Sequence, residues 1–448
     1  MKEQKKFPQV VLDILRTLQS HGFESFLVGG AVRDILLGKT PQDFDICSAA
    51  KPQQVKEMFP KVVETGLPFG TVTVLQGAYA VEVTTFRTEN TGAGVSRRQS
   101  SVEEDVRLRD FTINGLLFDG EEFIDLVGGI KDLRAGKIKG IGRPHERYRA
   151  DPLRMMRGIR LHCQLNFQIE AETLQAVLPH ADLIQNVAPE RIREELVKIL
   201  ISERPAAGFA LLQQTGLLKH ILPEMEACYG FDQRSPYHDQ DVFHHTMRVL
   251  EGTPPDLVLR LAALFHDVGK PATFSLDQRG RGHFYGHEAK GQEITGKIMM
   301  RLKWDRKTRD QVMLLVGEHM HKISYQEKKA LKSMLNRLGP ENMNRLLDLQ
   351  LADAQASLAP CNPEELHRIK HEIKRIQAAQ EPISLKDLAI GGKDLIKIGF
   401  RPGREMGQVL GLLLEKVQED PQINTPEELI KLAQGLIPLP MNSLKREL

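Results

Sequence analysis

Residues 26–50 read FLVGGAVRDILLGKTPQDFDICSAA, from Phe26 to Ala50, and the fold turns on how this stretch is read. A short apolar run, Phe26-Leu27-Val28, ends in Gly29-Gly30. The spacing then predicts a helix from Ala31 to Leu37 stopped by Gly38, followed by Asp43-Phe44-Asp45 leading into Ile46. Paired glycines after a strand let backbone N–H groups approach a polyphosphate, because no Cβ intervenes. Arg33 falls one helical turn past Gly30, in reach of the same phosphates. Asp43 and Asp45 stand two apart, so on a strand both carboxylates leave one face. Hard oxygen ligands suit Mg²⁺, which is usually held by one or two carboxylates plus substrate phosphates. Either half alone also reads as a turn before a strand with a solvated acidic face. The two together, in this order and spacing, are far more specific.

Outward from this stretch, Val10, Val11, Ile14, Leu15 and Leu18 recur at helical spacing within Phe7–Ser20, and His21-Gly22 ends the helix. Lys51–Phe59 also reads as helical. Two β-branched alternating runs, 71–75 and 79–86, flank Gln76-Gly77-Ala78 and predict a hairpin. Glu82 lies in the second run, out of phase with Val81 and Val83. It reads as a solvent-facing strand residue or, beside the two aspartates, as a third metal carboxylate. Residues 88–101 are polar, with Gly92, Gly94, Arg97 and Arg98, and read as a mobile loop. Glu104-Asp105-Val106-Arg107-Leu108-Arg109-Asp110-Phe111-Thr112-Ile113-Asn114 follows.

These motifs resemble the class II nucleotidyltransferases, the family of tRNA CCA-adding enzymes, their CC-adding and A-adding relatives, and bacterial poly(A) polymerases. Residues 27–45 are similar to its LVGGxVRDxLLGxxxxDxD signature, residues 82–87 to EITTFR, and residues 104–114 to EDLxRRDFTINA, with Leu108 in place of the first Arg of RRD and Gly115 in place of the final Ala. The resemblance implies two Mg²⁺ ions on Asp43 and Asp45, and Glu82 as a further catalytic acid. It implies that Gly29, Gly30, Arg33 and Arg109 hold a triphosphate, and that Asp110 and Asn114 serve the triphosphate and the ribose. The family's loop pattern DxRRPxxVxF is reduced here to Arg97-Arg98, with Gln99 at the Pro position and Val102 followed directly by acids. A deletion there is typical of enzymes that add only CC.

Past Tyr148 the pattern becomes helical. Asp151 reads as an N-cap with Pro152 at the first helical position. Asp151, Arg154, Arg157 and Arg160 then recur on one stripe. Three arginines on a stripe without interspersed acids is unusual for a solvated face. The stripe resembles the family's EDxLRxxRxxRF helix, which implies that Asp151, Arg154, Arg157 and Arg160 bind the nucleotide, with Asp151 and Arg154 hydrogen-bonding the incoming base. A carboxylate can accept from cytosine N4, and a guanidinium can donate to its O2 and N3. Ala150 stands where most bacterial members carry an acid. Residues 190–196, ERIREEL, match a family helix that reads as a structural brace.

A second chemistry lies beyond. Leu259–Lys270 reads LRLAALFHDVGK, and an adjacent His266-Asp267 at the end of an apolar helix is costly to bury unless a metal takes it. His245 lies upstream and Asp353 sits in a helical LQLADAQA. This resembles the HD phosphohydrolase domain, which implies His245, His266, Asp267 and Asp353 as ligands of a divalent metal (Mg, Mn, Ni, Co or Fe). His287 and His319 fall where two-metal members have histidines, and Lys270 suits a phosphate. His238, His244, His283 and His321 read as ordinary polar residues. The basic turn from Lys393 to Arg404 reads either as a grip on RNA backbone or as part of a helical cap.

At 448 residues more than one domain is expected. A net charge of +2 gives no global basic signal, so nucleic-acid contacts must come from local patches. Four cysteines without a CxxC indicate no disulfide framework or cysteine zinc site. The N-terminus lacks the apolar core of a signal peptide and no stretch reads as a membrane span, so the expected place is the cytoplasm. The expected class is α+β. A small mixed-sheet nucleotidyltransferase head (1–145) precedes a helical neck (146–205), an HD body (206–375) and a helical tail (376–448). The expected partners are the tRNA 3′ end, CTP and ATP, with no membrane. The expected activity is addition of CCA, or only CC, with a poly(A) polymerase or an RNA-binding protein active only at the HD site as alternatives.

Overall fold

The computed structural model describes residues 7–67, 70–87, 101–235, 239–322, 324, 326–358 and 363–436. The polar segment 88–100, with Arg97 and Arg98, and His238 lie outside the described residues. The chain forms two compact units, one of residues up to 226 with 301–303, the other of 227–300 with 304 onward.

In the first unit, helices α1 (Gln9–Ser20), α2 (Gly30–Leu36) and α3 (Pro52–Met58) alternate with strands β1 (Ser25–Val28) and β2 (Phe44–Ser48). Strands β3 (Val62–Gly66), β4 (Thr71–Gln76) and β5 (Tyr79–Thr85) come next, then α4 (Val102–Arg107), β6 (Leu117–Phe118) and β7 (Phe123–Ile124). The seven strands are ordered β3-β4-β5-β2-β1-β6-β7. The sheet is mixed: β2 runs parallel to β5 and antiparallel to β1. The hairpin expected over 71–86 is β4–β5, whereas the edge strand β3 has no clear sequence signal because its Val63, Glu64 and Thr65 are exposed.

Side-chain alternation sorts β2 into two faces. Phe44 and Ile46 join Leu27, Val81 and Val83 in a core closed by Val11, Ile14, Leu15 and Leu18 of α1. Cys47 faces the other way, into a smaller cluster with Val28, Phe86, Val102 and Val106. Asp45, two residues before Cys47, shares that second face.

Helices α5 (Gly129–Arg134), α6 (Pro144–Ala150) and α7 (Leu153–Leu165) follow. The expected cap at Asp151 is not formed. Asp151 is the C-terminal boundary of α6, the residue preceding α7 is Pro152, and no side chain caps α7 there. The reason is that α6 runs to within one residue of Asp151, so that residue ends one helix rather than starting the next. Residues 205–226 pack in this first unit, where Phe209, Leu212 and Leu217 are fully buried.

Among the described residues the second unit is helical apart from one short hairpin, Ser275–Leu276 with Gly282–His283. Its helices include Val242–Glu251, Leu257–Phe265, His287–Arg301, Arg306–Glu318 and Lys328–Ala356, the last broken at Gly339-Pro340 because Pro cannot continue the ladder. Residues 388–433 build a small apolar core of their own around Leu395, Leu413, Val417 and Leu429.

Two candidate sites, an acidic strand edge and a buried histidine cluster

The first site follows from strand register. Asp45 pairs with Val28 on one side and Glu82 on the other. Val28 is followed by Gly29, so the glycine loop, the second aspartate and Glu82 meet at one place on the sheet. Asp43, one residue before β2, and Glu82 are exposed, while Asp45 is half-buried. Burial and the neighbouring Glu82 push the Asp45 carboxyl up to about 6, although Arg109 opposes them. Carboxylates that disfavour each other in this way suit hard divalent cations. Gly29 has φ +78 and ψ −137, a conformation that L side chains rarely adopt. A Cβ there would also lie 3.4 Å from Asp45 Oδ2 and 4.0 Å from an Arg109 Nη. Glycine therefore keeps open the space into which Asp45 and Arg109 face.

The basic groups stand around this acid. Arg33 donates to Asn114 Oδ1 at 2.7 Å and to Asp34 Oδ1 at 2.8 and 2.9 Å. Asn114 in turn donates to Asp110 Oδ1 at 3.1 Å, and Arg157 lies 2.9 Å from Asp110 Oδ2. Burial alone would raise the Asp110 carboxyl, but Arg157, Asn114 and the Phe111 N–H more than offset it and hold it at about 2. Arg33, Asn114, Asp110 and Arg157 are thus one chain of contacts.

Arg109 is held by Asp105, from Nε at 2.9 Å and from Nη2 at 2.7 Å. Asp105 is fully buried and also accepts the Arg87 N–H at 3.0 Å. The sequence reading gave Asp105 no role. Its spacing of four before Arg109 is the signal that pairs them.

The stripe on α7 is present, but each member has a protein partner. Asp151 Oδ2 lies 3.4 Å from Arg191, and Arg160 lies 3.3 Å from the buried Glu195 of the brace helix Pro189–Leu200. Arg154 donates to the Leu108 and Arg109 carbonyls at 2.6 and 3.3 Å. Its Nε is buried and meets no acceptor among the described residues.

The second site gathers all six expected ligands. His245, His266, Asp267, His287 and His319 are buried, and Asp353 is part-buried. His245 Nε2 lies 3.0 Å from Asp353 Oδ1 and 3.7 Å from Asp267 Oδ2, and His266 Nε2 is 3.2 Å from the same Asp267 oxygen. The other oxygen, Asp267 Oδ1, lies 3.4 Å from His287 and 3.9 Å from His319. Asp267 therefore sits between two triads, His245-His266-Asp267 and Asp267-His287-His319, each with ligand atoms within 4.8 Å of one another.

The backbone fixes the ring tautomers. Nδ1 of His266, His287 and His319 lies 2.8, 2.8 and 2.7 Å from the carbonyls of Ala263, Phe284 and Val316. With Nδ1–H donated there, each Nε2 lone pair points inward, the usual preparation of a metal-binding histidine. Among the described residues His266 Nε2 is buried and makes no hydrogen bond of good geometry, with Asp267 Oδ2 lying 3.2 Å away. Burial and the neighbouring His266 hold His319 at about 4, so it is a neutral imidazole at pH 7. An orphaned imidazole nitrogen and a carboxylate shared between two triads fit one or two divalent metals. Lys270 lies 2.7 Å from Asp267 and 2.9 Å from Gln233 Oε1. At Gly269 a Cβ would meet the His287 carbonyl at 2.2 Å, so glycine is what lets the His266-Asp267 turn approach the helix His287–Arg301.

Among known protein families, residues 25–139 match the Poly A polymerase head domain, 166–229 match the probable RNA and SrmB-binding site of polymerase A, and 242–357 match the HD domain. The chain is 32% identical over 437 residues to the CCA-adding enzyme of Latilactobacillus sakei subsp. sakei, covering 94% of this chain and 97% of that protein. A 43% identical match to the CCA-adding enzyme of Ligilactobacillus salivarius spans 47% of this chain and 53% of that protein. Among solved structures, the Bacillus stearothermophilus CCA-adding enzyme in complex with CTP superposes with a TM-score of 0.73 at 26% identity, covering 95% of this chain and 97% of that one. No helix among the described residues is long and apolar enough to cross a membrane.

Proposed function

The chain belongs to the family of CCA-adding enzymes, and on that premise we propose that it completes and repairs tRNA 3′ ends in the cytoplasm, adding C, C and A from CTP and ATP. The observation that supports this most is the register that sets Asp45 between the Gly29 loop and Glu82. The tRNA 3′-oxygen forms a bond to the α-phosphorus of the nucleotide, the bond to the β-phosphate oxygen breaks, and pyrophosphate leaves. Asp43 and Asp45 would hold two Mg²⁺ ions, which supply charge neutralisation and a more acidic attacking hydroxyl. Glu82, exposed beside Asp45, serves as a further ligand or takes the hydroxyl proton. Gly29, Gly30, Arg33 and Arg109 hold the triphosphate, and Asp110 and Asn114 keep Arg33 in place. Asp151 and Arg154 select the base, Arg154 being set in place by the Leu108 and Arg109 carbonyls. Arg157 and Arg160 brace that stripe through Asp110 and Glu195.

Incorporation of labelled CTP and ATP, separately and together, into a tRNA ending at the discriminator base tests this. Three additions ending in A are expected. A halt after two C residues with ATP present would favour the CC-adding reading, which the short 88–101 segment motivates. A run of A residues would favour a poly(A) polymerase, and no incorporation at all would leave only the HD site active.

The HD cluster is proposed to hydrolyse 2′,3′-cyclic or terminal phosphates at damaged tRNA ends, leaving the hydroxyl that the head extends. One or two divalent ions held by His245, His266, Asp267, Asp353, His287 and His319 would supply an activated water and charge neutralisation. Asp267→Ala removes the carboxylate common to both triads, and phosphate release from cyclic-ended tRNA should fall at least about 100-fold. Unchanged release would sink the assignment.

A further inference from the structure

The hairpin before His287 carries side chains that the six ligands do not use. Tyr285 is 80% exposed. It is stacked on His283, with ring centroids 5.3 Å apart and planes only 4° from parallel. His283 is anchored from behind, its Nε2 lying 3.3 Å from Asp277 Oδ2. Asp277 Oδ1 accepts the N–H groups of Arg279 and Arg281 at 2.8 and 2.9 Å, so the turn itself holds the carboxylate. The result is an aromatic pair with one face fixed and the other open, beside two exposed arginines. His283 is therefore more than the ordinary polar residue that sequence suggested.

The pair lies next to the histidine cluster along the chain. Phe284, between His283 and Tyr285, supplies the carbonyl that fixes His287, and Lys270 Nζ lies 5.4 Å from the Phe284 ring centroid. Two residues of chain, from Tyr285 to His287, span at most about 7 Å. The aromatic pair therefore sits on the segment that leads directly into the cluster. An open aromatic face stacks any base, and neighbouring cations favour a nucleic-acid backbone.

We propose that Tyr285, stacked on His283, is the platform for the nucleobase of a terminal ribonucleotide whose 2′,3′-cyclic or 3′-phosphate lies at the HD cluster. The inference rests on the phosphohydrolase reading of that cluster and names its substrate class as a ribonucleotide end rather than a phosphoester at large. In the cyclic case, water oxygen bonds to phosphorus, the phosphorus–O2′ bond breaks and O2′ takes the proton; a second water then attacks the resulting 3′-phosphate, the phosphorus–O3′ bond breaks, O3′ takes a proton, and inorganic phosphate leaves the 3′-hydroxyl free. Arg279 and Arg281 attract the preceding phosphates of the RNA. Stacking contacts no base edge, so the platform accepts all four bases.

The test uses the metal-loaded full chain and two substrates, 2′,3′-cyclic AMP and a base-free analogue, glycerol 1,2-cyclic phosphate. Tyr285→Ser should raise KM for cyclic AMP about 10-fold, the size of one base–aromatic stack, with kcat held. KM for the base-free analogue should not move, and Tyr285→Phe should restore the wild-type value. An unchanged KM for cyclic AMP in Tyr285→Ser, with wild type active, overturns the platform and leaves the phosphohydrolase reading standing. If wild type hydrolyses neither compound, the phosphohydrolase reading fails, and direct binding of 3′-AMP decides the platform. About 10-fold weaker binding by Tyr285→Ser than by wild type supports it, and equal binding overturns it.

Discussion

Asp45→Asn should reduce nucleotide addition at least about 10³-fold while raising the melting temperature of the metal-free protein. Removing one group that stabilises transition-state charge commonly costs 10²- to 10³-fold. Asp45 is proposed to serve the attacking and leaving oxygens together, which places the loss at the upper end. The stability gain has a separate cause. Asp45 is half-buried beside Glu82, and burial with that neighbour pushes its carboxyl up to about 6. Its folded value is therefore above the ordinary 3.8, and ionisation costs the native state. Asparagine keeps the shape without the charge, and the gain is on the order of 1–2 kcal/mol, or a few degrees. It is full above about pH 6 and shrinks as the pH falls toward the ordinary value, because both forms are then neutral. Labelled-CTP incorporation and thermal melts in chelator check both parts. Activity within ten-fold of wild type would remove Asp45 from the catalytic centre, and a lower melting temperature would show that its charge is compensated.

Asp110→Asn should cost about 2 kcal/mol at neutral pH and raise KM for the nucleotide about ten-fold. Breaking a buried ion pair from one side costs 3–5 kcal/mol, and the lower figure allows for Arg157, whose side chain is 35% exposed. The new amide N–H₂ also faces a guanidinium that needs an acceptor. The functional part passes through Asn114, which donates to Asp110 and accepts from Arg33, so disturbing Asp110 frees Arg33. Asp110 is held at about 2, below the ordinary 3.8. The stability it contributes is therefore full above pH 4 and lost as the pH falls through the window down to about 2, where wild type and variant converge. Denaturant titrations at pH 7 and pH 3, with steady-state CTP kinetics, read both effects. Equal stability at pH 7 would mean that Arg157 finds another partner.

The residues proposed to do the chemistry are legible in the sequence because their signals are local. Gly29-Gly30 follows an apolar run, Asp43 and Asp45 stand at strand spacing, and His266-Asp267 ends an apolar helix. Short-range periodicity also yields the β4–β5 hairpin and the α7 stripe. Where local signals conflict, sequence misleads: Asp151 has the composition of a cap, yet α6 reaches it first.

Tertiary structure alone decides the partners, since these are separated by tens of residues and meet only when the elements pack. Arg154 is 46 residues from the Leu108 carbonyl it holds, and Arg160 is 35 from Glu195. Neither charge pattern nor period fixes which carboxylate each arginine meets. The same holds for the histidine cluster, where sequence names six candidate ligands but only packing makes Asp267 the member shared by both triads. Sequence also leaves Tyr285 and His283 as unrelated polar and aromatic residues, because the anchor from Asp277 that makes them one surface exists only in the folded hairpin. Local pattern thus determined which groups this chain brings to its sites, and long-range packing decided what each group faces.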